Sequence, residues 1–153
     1  MSIFLVDTKE LRKTGLLMQA WSEGMQSRES LMSSARLLDA LPSAVRDHCA
    51  WGTVGGEGCS ASVESLGGEF EARLTSSGDA DSDSRRNAGV VVGMMTEMGN
   101  KMRFDNKPVF DDGAFRAPDG REVKYRVAAV PTKGLGDEHC GWIAVGDWAG
   151  EVS

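Results

Sequence analysis

The sequence predicts an α+β protein. An N-terminal amphipathic helix is followed by a five-stranded antiparallel sheet, built as a hairpin, a helix and a three-stranded meander, with helices on one face. Three observations carry this reading. Leu11, Met18, Met25 and Met32 recur every seven residues as one apolar stripe at helical spacing. Gly67-Gly68 separates two stretches whose apolar residues alternate, as a tight hairpin requires. Ala117-Pro118-Asp119-Gly120 separates two more such stretches and suits a type I turn with glycine in the left-handed position.

The first helix is expected from Asp7 to Leu41, with Leu17, Trp21, Ala35 and Leu38 filling the same side as the stripe. Asp7 and Glu10 have the spacing of a capping box, and Pro42 disfavours helical geometry at Leu41, so both ends are marked. Gly15 and Gly24 each cost about 1 kcal/mol relative to Ala in a helix interior. The helix therefore needs a partner surface: the chain's own core, or a second copy meeting it through Leu11, Met18, Met25 and Met32. This divides the chain into an N-terminal helix, residues 1–42, and a single α+β domain, residues 43–153.

Residues 51 to 58 read as a loop by glycine content. The hairpin runs from Cys59 to Leu66 and from Glu69 to Thr75. It sets Ser65 against Phe70, Val63 against Ala72 and Ala61 against Leu74, all on one side. Two features oppose it: Glu64 faces Glu71, and Glu69 to Leu74 is also an acceptable helix. Ser76 to Ser84 is an exposed connector that supplies acceptors and negative charge to a helix start. Val91, Met94, Met95, Met98 and Met102 follow at helical spacing. Gly89, Gly93 and Gly99, with three consecutive valines, make a buried strand over 89 to 95 the rival there. Strands at about 107–117, 121–131 and 141–148 close the chain, and a three-residue loop sets Phe115 opposite Val123.

With 153 residues the chain has the length of one domain. Its net charge of -6 and pI near 4.9 repel phosphate backbones and anionic headgroups, so neither nucleic acid nor membrane is an expected partner. Ile3-Phe4-Leu5-Val6 is far too short for a signal-peptide core or a span. Cys49, Cys59 and Cys140, an odd number at irregular spacing, fit reduced thiols and a cytoplasmic protein.

No chemical motif is complete. Asp79, Asp81 and Asp83 open like a calcium loop, but Ser84 stands where the turn needs glycine and Val90 where a bidentate Glu belongs. His48-Cys49 and His139-Cys140, with Cys59, are donors that zinc, copper or haem iron accepts. Adjacent strand residues point to opposite faces, however, and no C-x-x-C clamp is present. There is no G-x-S-x-G, and the glycines at 52, 55, 56 and 58 make no phosphate loop. The expectation is a non-enzymatic protein without metal or cofactor. Trp51, Trp142 and Trp148 with the Met-rich second helix are either core or the lining of an apolar pocket.

Two stretches resemble the PAS sensory-domain family. Leu37 to Val45 is similar to that family's lead-in to its first strand. Phe115-Arg116 before Asp119-Gly120, the alternating Val123, Tyr125 and Val127, then Pro131, Gly141, Ile143, Val145, Gly146 and Asp147 are similar to its closing strands. The resemblance implies a five-stranded antiparallel sheet, a small-molecule or protein-binding role and a leading helix that mediates dimers. It departs after Val45, where a Gly-rich loop replaces the first strand. The expected function is therefore a sensory or regulatory domain that binds a small apolar ligand or a protein partner. Met94, Met98, Tyr125 and Trp142 are the ligand-binding candidates, and the first helix is the homodimer surface. The alternative is an acidic secretion-associated chaperone or adaptor without a pocket, of type III, profilin-like, roadblock-like or type VII helical-hairpin kind.

Overall fold

The computed structural model describes residues 13–26, 32–54, 61–75, 82–102, 107–117, 120–133 and 140–149. In chain order these form α1 (Lys13–Met25), α2 (Ser34–Ala40), α3 (Ser43–Arg46), β1 (Cys49–Val54), β2 (Ala61–Leu66), α4 (Gly68–Thr75), α5 (Ser82–Met102), β3 (Val109–Arg116), β4 (Glu122–Lys133) and β5 (Cys140–Ala149). The fold is α+β with one five-stranded sheet of order β2-β1-β5-β4-β3, and every neighbouring pair is antiparallel.

The meander follows the local turn chemistry. Phe115 faces Val123, Gly120 has φ of 91°, and Gly120 N–H donates to Ala117 O at 2.9 Å. The hairpin is formed elsewhere than expected. Its strands are β1 and β2, so residues 51–54 are strand and not loop, and Glu69 to Thr75 lies in helix α4. The reason is steric. Gly67 is a crossing point, where an added Cβ would lie 2.6 Å from the Asp47 carbonyl, and its N–H donates to Cys49 O at 2.8 Å. Beyond it, Glu69 and Glu71 occupy the first turn of α4, and Glu69 pairs with Arg73 one turn on at 2.8 Å.

The expected single helix over 7–41 is instead broken between α1 and α2. Met32 folds back so that its thioether fills the space beside Gly24, and its carbonyl accepts from Lys133 N–H at 2.7 Å. Ser33 then caps α2, its hydroxyl accepting from Arg36 N–H at 3.2 Å. Helix α5 is unbroken across 89–95, the stretch where a strand was the rival. Gly99 lets it approach the sheet, since a Cβ there would sit 3.1 Å from the Ala61 and Trp142 side chains.

The helices, expected over one face, cover both. On one face Phe70, Ala88, Val91, Met95, Met98 and Met102 pack on Ala50, Val127, Ala129, Trp142 and Ala144. On the other, Leu17, Met32, Leu37, Leu41 and Val45 pack on Cys49, Ala128, Val130, Ile143 and Val145. Neighbouring residues of β4 and β5 thus alternate between two cores, each with its own helix layer. Residues on both sides of the expected boundary at 42 share the second core.

Candidate functional site

The four residues expected to hold a ligand come together on the α5 face. Met98 and Trp142 are buried there, and Met94 and Tyr125 are half-buried against the same cluster. Met94, Met98 and Trp142 line none of the three clefts at α1, at α2 and along β2, whereas Tyr125 lines the first. The Trp142 indole Nε1 is buried without a hydrogen-bond partner. Tyr125 Oη donates to Asp111 Oδ2 at 3.0 Å, a bond that favours the neutral phenol and raises its pKa. Gly113 makes room for that phenol, because a Cβ there would meet Tyr125 Oη at 3.0 Å.

One cleft, of about 270 Å³, opens where α1 begins over the ends of β4 and β5. Lys13, Thr14, Lys124, Arg126 and Asp147 contribute to its lining. Lys13 Nζ pairs with Asp147 Oδ2 at 3.4 Å, and Arg126 with Asp112 at 3.7 Å, both partly exposed. These pairs are worth little in stability, and their charges remain available to a visiting group. Beside the cleft the end of β5 anchors a chain of rings. Phe70 lies 5.6 Å from Trp148 and 6.1 Å from His48, and the Arg73 guanidinium sits 4.9 Å above Trp148. Burial, followed by the Lys13 charge, lowers the His48 pKa. The Ala44 carbonyl, 3.2 Å from Nδ1, and the Asp147 and Glu69 charges oppose this.

A second cleft of about 270 Å³ lies between α2 and β1, with Ala35, Leu38, Trp51 and Gly52 as its apolar floor and Glu64 and Lys133 at its rim. Trp51 is half-buried and also borders a shallower groove along β2.

Of the His and Cys donors weighed for a metal, His48 and Cys49 are the ones whose side chains are described. Cys49 is buried, its thiol donating to Val45 O at 3.3 Å, and desolvation pushes its pKa up to about 12. Cys59, His139, Asp79 and Asp81 lie outside the described residues, as do the side chains of Asp83 and Cys140. Among the described residues no three His, Cys, Asp or Glu side chains gather closely enough to hold a metal ion. Of the expected dimer surface, Leu11 lies outside the described residues, while Met32 is buried in the second core and Met18 and Met25 pack partly buried against it. Sequence reasoning named Trp51 among pocket candidates but missed Lys13, Lys124 and Arg126. Lys13 reaches the cleft from α1, and the β4–β5 register sets Arg126 beside Asp147, neither of which a local pattern marks.

No family model and no curated protein matches the chain. None of the described helices is long and apolar enough to cross a membrane.

Proposed function

We propose that this chain is a non-enzymatic regulatory domain of PAS-like plan that works by binding a protein partner at the Trp51 cleft. The observation that carries the reading is the double helix layer. With both sheet faces occupied, Met98 and Trp142 serve as core, and a half-buried tryptophan with Leu38 remains as an open apolar foothold. Aromatic anchors in shallow pockets with a polar rim are what protein interfaces use. Cytoplasmic placement, with reduced thiols, belongs to the same reading.

A small apolar ligand on the α5 face is the second reading, favoured by the unpartnered Trp142 Nε1. Native mass spectrometry of freshly purified protein separates the two. A retained small molecule supports the ligand reading. A clean apoprotein that captures a library peptide, and loses it on Trp51→Ala, supports the partner reading. An apoprotein in which Trp51→Ala leaves peptide capture unchanged overturns the Trp51 site.

A further inference from the structure

Among the described residues β3 pairs with β4 alone, so its other edge presents unpaired backbone. Ala117 N–H donates to Arg121 O at 2.8 Å, which fixes the alternation. Backbone groups of residues 109, 111, 113 and 115 point to β4, and those of Phe110, Asp112, Ala114 and Arg116 point outward. The same four residues carry exposed side chains. Phe110, at 51% exposure, is the one large apolar side chain exposed among the described residues. Edges are normally blunted by lysine, proline or a bulge. Val109–Arg116 has neither residue, and its register with β4 runs without a shift, so the charges of Asp111, Asp112 and Arg116 are what guards this edge.

We propose that β3 pairs antiparallel with β3 of a second copy of this chain, about a two-fold axis at Gly113, joining two sheets into one. This rests on the edge alone and is independent of what the domain binds elsewhere. A two-fold axis normal to the sheet keeps the faces matched, so outward-pointing residues meet one another and the register can move only in steps that preserve this. Centring on Asp112 sets two carboxylates directly opposite, which is repulsive. Centring on Ala114 pairs Asp112 with Arg116 but carries Phe110 past the end of the strand. Centring on Gly113 sets Asp112 against Ala114 and brings the Arg116 guanidinium to the exposed Phe110 ring, which the chain's own Arg126 guanidinium already meets at 5.8 Å. Arg116 then exchanges its exposed hydrogen bond to Gly120 O, 2.8 Å in the single chain, for the partner's ring. At the axis the space beside Gly113 is taken by the phenol of the same chain's Tyr125 on the α5 face.

The test is amide exchange of the full chain at low and high concentration, alongside sedimentation equilibrium. A concentration-dependent dimer is expected, in which the Phe110, Asp112, Ala114 and Arg116 amides exchange at least about tenfold more slowly than in the dilute sample. Ala114→Pro removes one outward donor at an edge position that tolerates proline, and gives a monomer with unchanged circular dichroism. A chain that stays monomeric at its highest soluble concentration overturns the proposal. So does a dimer in which these four amides exchange as fast as on dilution, or one that persists in a folded Ala114→Pro variant. Should that variant not fold, exchange in the unsubstituted chain decides alone.

Discussion

The indole Nε1 of Trp21 donates to the carbonyl of Pro131 at 2.9 Å, tying the middle of α1 to β4. The bond sits where the sheet has a gap. Pairing of β4 with β3 ends at Ala129, so Pro131, which lacks an N–H, lies beyond the reach of that ladder. Trp21→Phe keeps an aromatic ring but removes the donor and part of the indole's bulk, leaving a buried carbonyl short of a partner. A loss of about 1–2 kcal/mol is expected in urea denaturation, with the slope unchanged.

Gly146 lies directly under α5. A Cβ there would press on the Val91 methyl and come within 2.8 Å of the Met95 sulfur, so Gly146→Ala must push the helix off the sheet. Overpacking of this kind costs about 1–3 kcal/mol. Val91→Ala in the same chain should recover part of that loss, and a double-mutant cycle measures the coupling.

His48 makes stability depend on acid. Its folded pKa is depressed, chiefly by burial, so the unfolded chain binds the proton more readily. The contribution is complete above the ordinary value of about 6.5 and is lost as pH falls through the folded pKa. Thermal melts of the protein should show a midpoint that drops on acidification through this window. His48→Gln should flatten that part of the profile, leaving the further loss in stronger acid, below the usual carboxylate range, where protonation of Glu69 releases Arg73.

The Cys49 thiol should react only from the unfolded chain, being wholly buried and raised to about 12. Mass-spectrometric mapping after iodoacetamide treatment in rising urea should show residue 49 modified along the unfolding transition. Modification in native buffer at the rate of a free thiol would contradict the packing around it.

The closing strands were legible because their instructions are local. Pro118, Asp119 and Gly120 dictate the turn, and the alternation from Val123 to Val127 dictates the face, so Phe115 and Val123 met as expected. The methionine spacing of α5 was legible for the same reason. The first hairpin was not. The partner of β2 lies upstream in β1, and Gly67-Gly68 looks like a turn until the close crossing over Asp47 is known. The Glu69–Arg73 spacing was the available signal for α4, and hairpin alternation outweighed it. The break after α1 was masked by Met32, which continues the seven-residue stripe from a chain that has already turned back. The site was less legible than the fold. Trp142 and Met98 have the size and softness of ligand contacts, and their burial is set by three-dimensional packing that no local pattern states.

Strand β5 gives Trp142 and Ala144 to one interior and Ile143 and Val145 to the other. Neither half of the molecule can come apart while the other survives, since losing this strand empties both. Folding is thereby made all-or-none. Variants retaining Trp142 alone on one side or Trp21 alone on the other should give superimposable fluorescence melts.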